Sequence, residues 1–248
     1  MSEARYKQLL TQSLAGIDGW MYMDEAWALH ESARLFAFDG PITVVEIGSW
    51  KGRSTTALAL GVSARGSGTV HAIDPHTGNR EHIETHGSID TFQDFLRNIE
   101  AAGIAHFVKP IRSTSHETRP SFGCASVHVL FVDGSHEYGD VVLDVDDWTS
   151  ALTDDAVVAF NDPVFPGVYR ALRDRVLVKG TPFRRARYVG NTLFFRYQPT
   201  TKWRLIDSVA LAWLRLLLSV RFHGQVPATR LPRWAIATTR WVYKRALI

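Results

Sequence analysis

Hydrophobic and polar positions predict strands and helices in alternation from Thr43 to about Lys179. Short apolar runs predict five strands, at Thr43–Ile47, Thr69–Ile73, His106–Pro110, Val127–Val132 and Ala156–Phe160. Segments of helical length lie between and after them, at Ser54–Ala64, Ser88–Ala102, Ser115–Arg119, Tyr138–Ala151 and Val168–Val178. Strands that alternate with helices imply right-handed crossovers and a mostly parallel sheet.

The two ends of the chain follow other patterns. Two β-rich runs, Phe183–Val189 and Thr192–Tyr197, flank a Gly-Asn turn and predict an antiparallel hairpin that completes the sheet. An amphipathic helix is expected at Asp24–Ala37, and apolar, basic helices at Trp203–Phe222 and Leu231–Ile248. The expected fold is therefore α/β, a Rossmann-like sheet with a C-terminal antiparallel hairpin and a helical C-terminal extension. Its domains are an N-terminal helical cap (1–40), a ligand-binding catalytic domain (41–199) and a basic helical extension (200–248).

Composition narrows the class of protein. The single cysteine, Cys124, excludes a disulfide framework and a cysteine-rich metal site. Met1–Gln12 is polar rather than a signal peptide, so a cytoplasmic protein is expected. From Thr200 onward nine Lys and Arg face one acid, a net charge of +8, which leaves −5 of the total +3 for residues 1–199. This asymmetry predicts that the tail meets an acidic surface.

The strongest local signal is a strand, a glycine-containing loop and a helix in succession over residues 44–64. A dinucleotide fingerprint starting at Gly48 would need glycine at two positions that Trp50 and Arg53 occupy. A tryptophan at the first of these would keep a pyrophosphate away from the backbone. Glu46, at the strand end, suits a cationic or hydroxyl-bearing ligand better than a phosphate. The loop therefore predicts an adenosine-based cofactor without phosphate, and S-adenosylmethionine (SAM) fits.

Two further strand ends complete the predicted cofactor site. Asp74 follows the second strand, about one crossover beyond the glycine loop, where an acid accepts hydrogen bonds from ribose hydroxyls. Ser113 follows the third strand, where the adenine edge would lie.

A second set of polar residues follows the fourth and fifth strands. Asp133 and His136 come after the fourth strand, and Asn161 and Asp162 end the fifth. Since adjacent parallel strands end at the same edge of a sheet, three oxygen ligands are expected to converge on Mg²⁺ or Mn²⁺. His136 would be the general base. The alternative is that the pair 161–162 only caps a turn and that the histidine is an ordinary loop residue.

This combination suits chemistry on a hydroxyl group. A divalent cation bound to an aliphatic hydroxyl lowers its pKa and fixes its orientation. A histidine can then take the proton while the oxygen attacks a methyl group carried by a sulfonium, and positioning in line supplies much of the rate.

Taken together, these residues resemble the class I SAM-dependent methyltransferases over about Gly19–Tyr197. The closer resemblance is to metal-dependent sugar O-methyltransferases of the macrocin and mycinamicin type, with mycobacterial relatives that methylate the anomeric hydroxyl of 3-O-methylmannosides. It implies Mg²⁺-dependent methyl transfer from SAM to a sugar or glycoside hydroxyl.

The resemblance also assigns roles to individual residues. It implies that Asp133 is a metal ligand and His136 the base, and that the family's second acidic pair falls on Asn161 and Asp162. The asparagine departs from the family's usual aspartate. The implied cofactor-binding residues are Glu46, Gly48, Gly52, Ser54, Asp74, Ser113 and Asp133.

Other functions remain open at this stage. A catechol-type O-methyltransferase would share the Mg²⁺ site but have a lysine in place of His136. A nucleic-acid methyltransferase would use the basic tail, but the body is acidic and lacks an Asn-Pro-Pro-Tyr-type motif, so no nucleic-acid partner is expected. A cofactor-binding fold without activity is a third alternative. The tail helices are expected to pack between subunits of a dimer or on the catalytic domain, with contact to an anionic membrane surface as the alternative.

Overall fold

The computed structural model describes residues 1–78, 87–123 and 126–224, with side chains described up to residue 220. Its backbone divides into two compact units, Met1–Ser135 and His136–Ile248. The strands are β1 Ile42–Ile47, β2 Gly68–Ile73, β3 Val108–Ile111, β4 Val127–Val132, β5 Leu152–Asn161, β6 Phe183–Val189 and β7 Thr192–Tyr197. The helices are α1 Glu3–Leu14, α2 Met23–Arg34, α3 Arg53–Arg65, α4 Phe92–Ala101, α5 Ser115–Thr118, α6 Tyr138–Thr149, α7 Pro166–Arg175 and α8 Leu205–Gly224.

The predicted α/β fold is confirmed. The seven strands form one sheet in the order β3-β2-β1-β4-β5-β7-β6, in which β1 pairs in parallel with both β2 and β4 and the hairpin strands are antiparallel. Strands β4, β6 and β7 have the predicted bounds.

Several predicted boundaries were wrong. The third strand begins at Val108 rather than His106, because a 3₁₀ turn occupies Ala105–Phe107. The helix predicted at Ser88–Ala102 is α4, which begins at Phe92. Strand β5 begins at Leu152, four residues before the predicted start. The helix predicted at Val168–Val178 begins earlier, because Pro166 suits a first helical position, where its missing N–H costs nothing.

The first unit consists of parallel strands with helices packed on them. All six residues of β4 are buried, as expected for a strand covered on both faces. Helix α3 is buried along Ser54–Val62 and packs closely against α2. A Cβ at Gly61 would lie 2.3 Å from the backbone oxygen of His30, so only glycine allows this helix crossing.

Arg53 fixes the N-terminal segment onto the start of α3. Its Nη1 donates to the carbonyl oxygens of Leu14 and Ile17 at 3.0 and 2.8 Å, and its Nε donates to that of Met21 at 3.3 Å. Arg53, one of the two residues that depart from the dinucleotide fingerprint, thus has a structural role. It donates hydrogen bonds to carbonyl groups at the end of α1 and in the loop before α2.

The second unit is built on antiparallel pairing. Strand β7 lies between β5 and β6, and Asn161 of β5 pairs with Thr192 of β7. The rings of Phe160, Phe183 and Phe195 pack edge to face with centroids 6.0–6.3 Å apart. The pairing of β5 with β7 brings the Gly190–Asn191 turn beside the end of β5, where the predicted metal ligands lie.

Helix α8 contacts α7 and β6 of its own unit. In the part of the chain with described placement, no helix combines the length and the apolar character needed to cross a membrane. The second tail helix predicted at Leu231–Ile248, Cys124 and most of the loop 75–87 lie outside the described residues. The three-domain division stays a prediction.

Candidate active site

The glycine loop after β1 is held against the loop after β4 by a very close approach. Gly48 has φ +85°, and a Cβ on it would lie 2.1 Å from the backbone oxygen of Asp133 and 2.7 Å from the Cα of Gly134. The Asp133 N–H donates to the carbonyl of Ile47 at 2.8 Å. Both the backbone conformation and the available space therefore require glycine at position 48. Gly52 has φ +89° and precedes the first residue of α3.

Asp74 organises the same loop. Its Oδ2 accepts hydrogen bonds from the backbone N–H groups of Ser49 and Trp50 at 2.8 and 2.7 Å, and its Oδ1 accepts one from that of His76 at 2.6 Å. In dinucleotide-binding folds the corresponding loop N–H groups face a pyrophosphate. Here a carboxylate already occupies two of them and would repel a phosphate. The structure thereby supports a cofactor without phosphate.

Glu46 is fully buried at the end of β1. The Thr55 hydroxyl donates to its Oε2, while Oε1 has no hydrogen-bond partner among the described residues. The pKa of Glu46 is raised to about 7, chiefly by burial and also by the charge of Asp74, while the hydroxyls of Ser54 and Thr55 act to lower it. A buried acceptor without a partner fits a ligand that brings a donor or a positive charge, such as the ammonium group of SAM.

Strained backbone conformations occur after three of the strands. Trp50, His76 and Asp162 have positive φ values of 46°, 59° and 50°, and they follow β1, β2 and β5 respectively. Such conformations cost energy in residues other than glycine and cluster at functional sites. All three lie next to residues predicted to bind the cofactor or the metal.

An aromatic pair stands beside the glycine loop. The rings of Trp20 and Trp50 lie 5.9 Å apart, and 71% of the surface of Trp20 is exposed. Lys51 joins the loop to the N-terminal segment through an ion pair with Asp18 at 2.9 Å. Sequence reasoning did not assign a role to Trp20, because a single tryptophan in a Gly-rich segment gives no distinctive pattern.

His76 is a second residue that the sequence did not single out. It is buried, its Nδ1 lies 2.9 Å from the Thr91 hydroxyl, and its ring packs near Phe92 and Phe95 with centroids 5.1 and 5.2 Å away. Burial lowers the pKa of His76, so the neutral imidazole is favoured. The histidine thereby links the loop after β2 to the start of α4.

The polar residues that follow β5 form a hydrogen-bonded group with the hairpin turn. Asn191 donates from its side chain to Oδ1 of Asp162 and accepts the Asp162 N–H at its backbone oxygen. The other carboxylate oxygen of Asp162 lies 3.4 Å from Nε2 of His136, and both side chains are about one-fifth exposed. The rings of Phe165 and His136 pack together with their centroids 4.2 Å apart. Asn191 thus fixes the carboxylate, a role that the turn signal alone does not reveal.

Asn161 is held in a different way. Its Oδ1 accepts a hydrogen bond at 2.8 Å from the hydroxyl of Thr192, a fully buried residue of β7. One lone pair of this oxygen is therefore already used. Its role as a metal ligand stays a prediction.

The described residues contain one group of acidic, histidine or cysteine side chains with the spacing to hold a metal ion. Asp133, His136 and Asp162 each offer one ligand atom, these atoms lie within 4.8 Å of one another, and each residue is half-buried. The two carboxylates suit Mg²⁺ or Mn²⁺, which prefer oxygen ligands. The sequence pattern expected Asp133 and Asp162 as ligands, with Asn161 as the third ligand and His136 as the base, and these roles stay predictions.

Ser113 is the predicted cofactor residue with other partners in the structure. Its hydroxyl donates to Oε2 of Glu117 at 3.1 Å. Glu117 also forms a capping box with Thr114 at the start of α5. The contact of Ser113 with a cofactor stays a prediction.

Comparison with known proteins agrees with this geometry. Residues 45–163 match the family model described as a methyltransferase domain. One curated relative, the uncharacterized protein y4gI of Sinorhizobium fredii, is 30% identical over 123 residues, which are 49% of this chain and 13% of the relative. The chain thus matches only a small part of the length of that relative.

Solved structures share the fold. The O-methyltransferase NovP has a TM-score of 0.65 at 13% identity, over 79% of this chain and 100% of that one. TomG from Streptomyces achromogenes, solved with SAM, has a TM-score of 0.55 at 17% identity, over 80% of this chain and 91% of that one. An O-methyltransferase of Bacillus cereus, solved with SAH, has a TM-score of 0.55 at 13% identity, over 80% and 92%. The predicted Rossmann-like α/β fold is therefore confirmed.

The close approach at Gly48 predicts a large effect of one methyl group. Gly48→Ala and Gly66→Ala both place alanine at positive φ, but nothing lies within 4 Å of a Cβ at Gly66. Each variant should lose roughly 1 kcal/mol to backbone strain. Gly48→Ala should lose about 1–3 kcal/mol more from overpacking. Urea denaturation measures both losses, and equal losses would show that the loops do not meet as described.

The buried carboxyl of Glu46 predicts a pH dependence of stability. Because folding raises its pKa from 4.5 to about 7, the folded chain holds a proton that the unfolded chain releases within this window. Stability from this group is therefore lost as the pH rises from about 4.5 to 7, with a total cost on the order of 3 kcal/mol. Glu46→Gln should remove that dependence, whereas Asp39→Asn, at an exposed acid, should not. Denaturation at pH 5 and pH 8 checks this, and parallel pH profiles of wild type and Glu46→Gln would refute it.

Proposed function

We propose that this chain transfers the methyl group of SAM to a hydroxyl of a sugar or glycoside, with the help of Mg²⁺ or Mn²⁺. The observation that carries the proposal is the spacing of Asp133, His136 and Asp162, whose ligand atoms lie within 4.8 Å of one another. The match of residues 45–163 to a methyltransferase domain gives the reaction class. The presence of SAM and SAH in the structures of TomG and the Bacillus cereus enzyme supports the cofactor.

The chain's own residues account for cofactor choice. Asp74 occupies the loop N–H groups that a phosphate would need, and the partnerless Oε1 of Glu46 suits a donor group. Gly48 keeps the loop backbone close to the loop that carries Asp133. These features favour a cationic, phosphate-free ligand.

We assign Asp133 and Asp162 to the metal. When bound, a divalent cation lowers the pKa of a coordinated hydroxyl and orients it. Asn191 holds Asp162 by two hydrogen bonds, so the carboxylate is positioned before any ligand arrives. A fixed carboxylate needs less reorganisation on binding a cation.

His136 then accepts the proton of the acceptor hydroxyl. The bond between oxygen and the methyl carbon forms, the bond between sulfur and that carbon breaks, and the proton moves to the imidazole. Oδ2 of Asp162 lies 3.4 Å from Nε2, which helps to orient the imidazole ring. Phe165 packs against the ring and limits its rotation.

The acceptor is assigned from the aromatic pair. Trp20 and Trp50 offer apolar ring faces beside the cofactor loop, which suit the C–H face of a pyranose ring while its hydroxyls stay hydrated. The anomeric hydroxyl of a 3-O-methylmannoside, and the hydroxyls of rhamnosyl and macrolide glycosides, are the specific acceptors that we propose to test first. A catechol-type acceptor is the second candidate, because the same ring faces would also stack on an aromatic substrate.

The proposal predicts metal-dependent turnover that needs His136. With SAM, Mg²⁺ and a panel of mannosides, rhamnosides, macrolide glycosides and catechol, His136→Ala should lower kcat by about 10²–10⁴-fold. The exposed His106 provides the control, and His106→Ala should leave kcat unchanged. SAH titration should give similar affinities for all three proteins.

Two further measurements test the metal dependence and the role of His136. Activity that persists after complete chelation of divalent cations would contradict the metal assignment. Mn²⁺ titration followed by electron paramagnetic resonance distinguishes a base from a ligand at position 136. As a base that contacts the ligand Asp162, His136 can be lost with a fall in Mn²⁺ affinity of at most roughly 10–100-fold, whereas a larger fall in His136→Ala would make this histidine a ligand.

A further inference from the structure

Helix α8 has two apolar faces, and one of them is covered by its own unit. Ala210, Leu214, Leu217 and Leu218 are buried, and the helix contacts α7 and β6. A surface helix normally carries polar residues on the face opposite its buried stripe.

The opposite face of α8 is apolar as well. Leu205, Val209, Leu216 and Val220 are 82%, 52%, 54% and 50% exposed. At 100° per residue these four positions fall within about 60° of one another, so they form one continuous stripe. We call these four residues the exposed stripe. Contiguous apolar surface of this kind marks an interaction site.

The start of the helix is firmly anchored, so the exposed stripe has a fixed direction relative to its unit. Arg184 and Asp207 are both buried and form an ion pair at 3.5 Å. The Arg184 guanidinium also lies 4.3 Å from the ring centroid of Trp203 and donates to the carbonyl of Thr201 at 2.9 Å. Asp207 accepts the Arg204 N–H at 2.8 Å, as the acid of a capping box does.

Exposed cations lie beside the exposed stripe. Lys202, Arg204 and Arg215 are exposed, and the whole segment from residue 200 carries a net +8 whereas residues 1–199 carry −5. An apolar stripe flanked by Lys and Arg, with Trp nearby, is the pattern of a helix that lies in the surface of an anionic membrane.

Charge decides between the possible partners of this face. A second copy packed through the same face would bring together two helices that each expose Arg204 and Arg215 while their acid Asp207 is buried, and like charges oppose such a contact. An anionic lipid surface complements the charge and covers the apolar stripe. We propose that the exposed stripe of α8 docks this protein on anionic membrane surfaces. This inference is independent of which acceptor is methylated.

Sedimentation of the full chain with vesicles tests the inference. The chain should pellet with vesicles of phosphatidylcholine mixed with phosphatidylglycerol, stay in solution with phosphatidylcholine alone, and be released by salt. Replacing two residues of the exposed stripe, Val209→Gln with Leu216→Gln, should lower the partition coefficient at least about tenfold. Leu35→Gln is the matched control, since Leu35 is 59% exposed in the other unit, and it should bind like wild type.

Analytical ultracentrifugation without vesicles completes the design. The wild type should sediment as a monomer, and circular dichroism and SAH binding should be the same for the double variant. Absence of the wild type from anionic vesicles at low salt, or equal pelleting of the double variant, would overturn the proposal. A wild-type dimer that Val209→Gln with Leu216→Gln converts to a monomer would assign the face to a second copy instead.

Discussion

The close contact between Gly48 and the backbone of Asp133 is the constraint on which the cofactor half of this structure depends. The space at position 48 holds a hydrogen and no Cβ, because the Asp133 carbonyl fills it. The Gly48 N–H donates to Ile73 of β2 at 2.9 Å, and the Asp133 N–H donates to Ile47 of β1 at 2.8 Å. The ends of β2, β1 and β4 are thereby tied together, and their loops leave the sheet at one edge. Parallel α/β sheets bind ligands at that edge.

Asp74 makes this edge of the sheet selective against ligands that carry phosphate. A loop whose N–H groups point outward would attract phosphate, but two of these groups are taken by the Asp74 carboxylate. Glu46 adds a second acid within the same unit, with its pKa raised by burial to about 7. Two acids around a glycine loop favour a ligand that is cationic and lacks phosphate, which describes SAM better than a nucleotide.

The sequence predicted the elements whose pattern is local. Strands β4, β6 and β7 could be bounded because their apolar runs end at turn residues. Strand β5 was predicted too short, and it extends back through Asp154 and Asp155, a residue type that is depleted in strands. In the structure, Arg196 and Gln198 of the neighbouring segment hydrogen-bond to Asp155 and keep this end attached. Contacts between distant segments of this kind leave no local signal.

Some parts of the candidate site could likewise be predicted from the sequence, and others could not. The glycine loop, Asp74 and the acids that end β4 and β5 could be predicted, because strand ends converge in this architecture. The two hydrogen bonds between Asn191 and Asp162 could not, because they depend on the register of β5 against β7. The position of Trp20 likewise depends on three hydrogen bonds from Arg53 that hold the segment carrying this tryptophan.

The central claim is that the glycine loop accepts an adenosine-based ligand and rejects phosphate. Competition calorimetry on the purified chain with SAH, ATP and NAD⁺ tests it most directly. The structure predicts that SAH binds and that neither ATP nor NAD⁺ displaces it at comparable concentrations. Binding of ATP or NAD⁺ at the same site, with no binding of SAH, would contradict this account of Asp74 and the loop.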